Sequence, residues 1–163
     1  MLIVASTCSA LVSAQISPIA RDLNELWVKS DLVVEATLQR VYPQEGSRTQ
    51  IDLGFVATNV IKGPKDLKSF LVTVASGGGR EDRSPGTSYI LFLLPIRQAR
   101  AKDLPNRELP RYESSQSLGP FKVVGESLRL TWKANAFLEQ FDGANRARFL
   151  AELGAATGKQ PTK

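Results

Sequence analysis

Tyr89-Ile90-Leu91-Phe92-Leu93-Leu94 stands between Pro85-Gly86 and Pro95, and its reading decides the fold. Six consecutive apolar side chains alternate above and below an extended chain, so both faces need cover. Pro95 withdraws a backbone donor and closes the segment as a strand. The spacing predicts a central strand with a core on one side and a second layer on the other.

Period two recurs on both sides of it. Leu32, Val34, Ala36 and Leu38 share one face of the segment from Asp31, with Glu35, Thr37 and Gln39 on the other. That pattern reads as a half-buried strand. After the turn chemistry of Tyr42-Pro43-Gln44-Glu45-Gly46-Ser47, Ile51, Leu53, Phe55 and Ala57 alternate with Asp52 and Thr58 opposite. Lys62-Gly63-Pro64-Lys65 stops that strand. Phe70, Val72 and Val74 mark a third, ended by Ser76-Gly77-Gly78-Gly79, and Phe121–Val124 and Leu128–Trp132 flank Gly125-Glu126-Ser127 as a hairpin.

Helical signals lie at the two ends. Asp22 caps a short turn with Leu23, Leu26 and Trp27 on one face. Asn135 caps a segment carrying Phe137, Leu138 and Phe141, which Asp142-Gly143 interrupts; Phe149, Leu150 and Leu153 continue the apolar face to Gly154. The expected fold is mainly β: a small closed or partly open antiparallel barrel with flanking helices, including a C-terminal helical segment. Closure removes aggregation-prone edges, and the helical tail covers the outer side of Tyr89–Leu94. Residues 15–154 form one domain, large enough to bury roughly 70% of its unfolded surface; residues 155–163 are a frayed tail.

Met1–Ala14 reads MLIVASTCSALVSA, apolar and uncharged, ending in the small-x-small pattern Val12-Ser13-Ala14. It reads as a signal-peptide remnant cleaved before Gln15. No positive n-region precedes it, which allows a start upstream of Met1. The run is shorter than the about 18 apolar residues of a transmembrane helix, so no membrane span is expected in the mature chain. Lipidation of Cys8 is the weaker reading, because Thr7 occupies a position that wants Gly or Ala. The expected location is secreted or periplasmic.

The mature chain then holds neither His nor Cys, since Cys8 is the only cysteine and histidine is absent. The commonest general base, the commonest metal ligand and the thiol nucleophile go together. No metal and no cofactor is expected. Net charge is +5, which favours solubility and contact with anionic surfaces.

Four segments carry a resemblance. Ser30-Asp31-Leu32-Val33-Val34-Glu35-Ala36, Val60-Ile61-Lys62-Gly63, Pro85-Gly86-Thr87-Ser88-Tyr89-Ile90-Leu91-Phe92-Leu93 and the strand from Gly119 to Val124 occur in this order. The succession, over Trp27 to Trp132, resembles bacterial secreted domains similar to the tissue-inhibitor-of-metalloproteinase and netrin modules. The resemblance implies an OB-like five-stranded barrel with helices packed on it. The inhibitory activity of that family uses an N-terminal cysteine to chelate zinc. Gln15 would stand at that position, and the family's disulfides are absent, so inhibition does not carry over.

Other chemistry is thinly signalled. Gly77-Gly78-Gly79-Arg80 lacks the Lys-Ser/Thr of a phosphate loop and reads as a strand connection. Glu81 and Asp82 are adjacent on a polar loop between Arg80 and Arg83, without the burial that separates acid from base. Ser114, Ser115 and Ser117 have no histidine; a dyad with Lys122 has no positive signal. An enzyme is therefore not expected, and an uncharacterised hydrolase ranks third among the readings.

The remaining feature is the polar connection from Arg97 to Ser117, longer than the about 12 to 15 residues usual in compact domains. Arg97, Arg100, Lys102, Arg107 and Arg111 face only Asp103 and Glu108 across residues 97–111, with Tyr112 adjacent. These six residues, Arg97, Arg100, Lys102, Arg107, Arg111 and Tyr112, are the candidate partner-binding loop. The sequence supports a non-enzymatic binding module whose partner is a protein or an anionic envelope component. The alternative is a polyanion- or oligonucleotide-binding barrel; it needs exposed stacking aromatics, whereas Phe55, Phe70 and Phe92 fall at buried positions. Export also argues against nucleic acid.

Overall fold

A computed structural model describes residues 20–43, 50–75, 83–96, 108–113, 121–131 and 136–158. The expected leader with Cys8 and Gln15, Gly77 to Asp82, the serines at 114, 115 and 117, Trp132 and Asn135 lie outside the described residues. The chain runs α1 (Leu23–Lys29), β1 (Leu32–Pro43), β2 (Gln50–Lys62), β3 (Ser69–Ala75), β4 (Ser88–Pro95), β5 (Arg111–Glu113), β6 (Phe121–Val124) and β7 (Ser127–Leu130). Two helices follow, α2 (Ala136–Glu139) and α3 (Arg146–Ala156).

β1 pairs with both β2 and β4, β2 with β3, β3 with β5 and β5 with β4, which closes a ring in the order β1-β2-β3-β5-β4-β1. The ring is an OB-like barrel. Four of its junctions are antiparallel, but β3 and β5 run parallel, Leu71 opposite Arg111 and Thr73 opposite Glu113. An odd number of strands cannot alternate direction all the way round. The expected antiparallel barrel therefore carries one parallel seam. β6 and β7 lie outside the ring, β6 sharing with β5 one edge of β4.

The two faces of β4 divide as the alternation requires. Tyr89, Leu91 and Leu93 point into the barrel with Leu32, Val34, Ala36, Leu38, Leu53, Phe55, Phe70 and Val72. Phe55 and Phe70 stack there at 5.6 Å between centroids, and Tyr89 meets Phe55 edge-on at 5.9 Å. Ile90 and Phe92 point outward into a second core, built with Val33 and with Leu26, Phe121, Leu128, Phe141, Phe149 and Leu153 from the helices and outer hairpin. Phe149 on α3 meets Phe92, Phe121 and Phe141 at 6.4, 5.1 and 5.0 Å. The helical tail supplies the expected cover.

β1 departs from the half-buried strand expected of it. Val33 and Glu35, on the face that reads as solvent-facing, are buried, Val33 within the second core and Glu35 against Arg146 and Asn59. The register also slips between Leu38 and Arg40, which oppose the adjacent residues Phe55 and Gly54. Gln39 is thus an extra residue, a β-bulge, and the alternation reverses beyond it. Val41 packs with the barrel core, while Arg40 and Tyr42 turn to the outer face with Gly54 and Asp52 opposite them.

Local devices fasten the second layer. Asp22 Oδ1 accepts from the Glu25 amide at 2.7 Å, the N-cap expected of it. Lys62 Nζ donates to the carbonyls of Trp27 and Ser30, and so satisfies the end of α1. β7 would be an open edge, but the α2–α3 connection occupies it. Leu128 N donates to Ala144 O at 2.8 Å, Gly143 N to Leu128 O at 2.7 Å and Leu130 N to Asp142 Oδ1 at 3.0 Å. Gly143, at φ 83°, makes the reversal that permits this. α3 is capped by Asn145 and runs to Ala156, beyond the Gly154 end expected for it. Among the described residues no helix is long and apolar enough to cross a membrane.

Candidate functional site

Of the six residues assigned to a partner-binding loop, Arg97, Arg100, Lys102 and Arg107 lie outside the described residues. Arg111 and Tyr112 are not on a solvated loop: they belong to β5, the strand that closes the ring. Tyr112 points inward, its ring edge-on to Phe70 at 5.8 Å. Arg111 points outward and is buried. Its Nη1 lies 2.7 Å from Asp52 Oδ1, with side-chain exposures of 6% and 0%. Thr73 Oγ1 donates to the same Asp52 oxygen at 2.7 Å and accepts from Arg111 Nη1 at 3.1 Å.

This cluster binds three strands together on the outer face. Asp52 comes from β2, Thr73 opposite it from β3, and Arg111 from β5. A three-residue strand has few ladder bonds, so a buried, charge-assisted contact is what anchors it. Asp52 gave a sequence signal, a carboxylate within an apolar strand. Its partner is 59 residues away in sequence (111 − 52) and no local pattern joins the two.

Beside the cluster, Tyr42 faces Asp52 across β1 and β2. Its ring lies against Gly54: a Cβ on Gly54 would meet Tyr42 Cε2 at 2.9 Å, so glycine leaves the room the ring occupies. The Arg40 guanidinium sits over the ring, 5.1 Å from its centroid. No local pattern marks Arg40 and Tyr42, because Tyr42-Pro43 reads as a turn and the bulge at Gln39 reverses the alternation.

A second buried carboxylate is Glu35 on β1. Arg146, the first residue of α3, grips it through two parallel bonds, Nε to Oε1 at 2.6 Å and Nη2 to Oε2 at 2.9 Å; Asn59 Nδ2 adds a third at 3.2 Å. The hydrogen bonds to Glu35 hold the Arg146 guanidinium above its ordinary value. With both oxygens engaged, Glu35 serves as a tie between helix and barrel. Among the described residues no three His, Cys, Asp or Glu side chains gather as metal ligands would.

The Tyr112 phenol is held above its usual value, first by burial and then by the charge of Asp31. The folded state therefore favours the neutral phenol. That contribution is fully present below the unfolded-state value, about pH 10, and is lost as pH rises through the higher folded value. Urea midpoints measured from pH 8 to 11 should fall more steeply for the wild type than for Tyr112→Phe. Parallel curves would refute the assignment.

No protein-family model matches this chain, and no curated protein matches it at a significant level. In OB-like barrels the face of strands two and three, with the connections β1–β2 and β4–β5 beside it, is where elongated ligands lie. Here β2 and β3 place Asp52 and Thr73 on the outer face, both buried, with Arg40 and Tyr42 beside them on β1 and Arg111 on β5; in sequence the basic residues 97–107 fall between β4 and β5.

Proposed function

We propose that this chain is an exported, non-enzymatic binding module of the netrin-like kind its segments resemble. Its partner is an anionic envelope component or an acidic protein surface, engaged through the β4–β5 connection and the adjoining sheet face. The observation that carries this is the anchoring of β5. The basic segment leaves the barrel at Pro95 and returns at Arg111, whose guanidinium is locked to Asp52 and Thr73. Both ends of the connection are thereby tied to a rigid ring, an economical way to present a binding loop. Phe55 and Phe70 stack inside the barrel, which removes them from any base-stacking role and disfavours the oligonucleotide reading.

The test is binding to vesicles containing phosphatidylglycerol, compared with neutral vesicles, for the wild type and for the triple charge reversal at Arg97, Arg100 and Lys102. Exposed charges mainly steer encounter. The triple variant should associate at least about tenfold more slowly at low salt, with dissociation much less affected. Raising the salt should shrink the difference. Equal association by both proteins would remove the basic connection from the function.

A further inference from the structure

We propose that Arg40 and Tyr42 form a pre-organised contact for phosphate groups of the anionic partner, which rests on the binding reading above and extends its site to β1. Arg111, Arg146 and Arg148 are each held by a carboxylate. Arg40 is exposed, with its guanidinium over the Tyr42 ring and no ion pair or hydrogen bond to a described residue. The Tyr42 hydroxyl likewise makes no hydrogen bond to a described residue, although the ring is half-buried. Arg129 also lacks a carboxylate partner, but no aromatic ring seats it.

The seat is built from the backbone upward. The Gln39 bulge turns Arg40 and Tyr42 outward together, Gly54 leaves room for the edge of the ring, and the ring orients the guanidinium. A stacked arginine has already lost much of its rotamer freedom, so less is lost when it binds. The guanidinium edge offers two parallel N–H donors and the phenol a third. An anionic phosphate oxygen accepts from all round its P–O axis, whereas carboxylate oxygens accept chiefly in their own plane, so a fork with a further donor below its plane suits phosphate. Asp52, across the strand from Tyr42, does not repel the anion, because Arg111 neutralises it.

The experiment uses the full chain with two phosphate sources, phosphatidylglycerol vesicles and inorganic polyphosphate, and poly-L-glutamate as a carboxylate competitor. Arg40→Ala should weaken phosphate binding about tenfold and Arg40→Lys about fivefold, since lysine keeps the charge and loses the fork. Tyr42→Phe keeps the seat, removes one donor and should cost about twofold to threefold. Thermal melts should show all three variants folded. Binding to only one source identifies it as lipid headgroup or soluble polymer and supports the proposal either way.

Arg40→Lys binding as well as the wild type would overturn the oriented fork, and displacement by poly-L-glutamate at equal charge would overturn the preference for phosphate. If Arg40→Ala binds normally while the triple charge reversal does not, the Arg40 contact is wrong and the basic connection stands. If the wild type binds neither source, both readings fall.

Discussion

Phe149→Ala is expected to destabilise the protein by about 3–5 kcal/mol, the range for a large aromatic removed from a packed core. Phe149 is essentially fully buried on α3 and meets Phe92 of β4, Phe121 of β6 and Phe141 after α2. Edge-to-face contacts of this kind add to simple burial. The cavity would open where the second core joins the barrel, and the rings around it belong to different elements that cannot all collapse inward. Chemical denaturation should therefore show a large fall in midpoint. Near-ultraviolet circular dichroism should weaken as the remaining rings lose their fixed packing. Phe149→Leu should recover much of the loss, since most of the volume returns. A change below about 1 kcal/mol for Phe149→Ala would mean that the helical layer is not coupled to the barrel.

Arg111→Ala is expected to cost a comparable about 3–5 kcal/mol, for a different reason: it leaves the Asp52 carboxylate buried without its charge partner. The diagnostic is the double variant Arg111→Met with Asp52→Leu. Replacing both charges by apolar groups of similar size should restore most of the stability, which no account based on lost packing alone predicts. Urea unfolding of the four proteins in this cycle gives the coupling directly. The same geometry revises what shortening the long connection does. Read as one solvated loop, residues 97–117 are replaceable at little cost to folding. Since β5 lies within that span and closes the ring, exchange of the whole span should open the barrel and abolish cooperative unfolding. Exchange of residues 97–107 alone spares β5 and should leave the midpoint nearly unchanged.

Much of the architecture was legible from alternation. Tyr89–Leu94 announced two buried faces, and the barrel core and the helical cover are those two faces. Asp22 and the Asp142-Gly143 break were equally plain, because caps and chain reversals are decided by neighbouring residues. The sequence by itself thus determined where the helices and every strand but the three-residue β5 run, and most of the apolar residues they bury, since those choices depend on periodicity within a few residues.

What only the tertiary structure decided is how distant strands meet. The parallel seam between β3 and β5 follows from closing a ring of five strands, a property of the whole ring. The extra residue at Gln39 reversed the sides of Arg40 and Tyr42, because β1 must serve β4 with its first half and continue along β2 with its second. Glu35, assigned to solvent by its place opposite Leu32, Val34 and Ala36, became a buried tie once α3 brought Arg146 onto it. Arg111, one cation in a basic run, became the buried bolt of β5 because Asp52 waits on another strand. Charge and polarity are properties of a residue, but burial and pairing are properties of the surface that the fold lays against it.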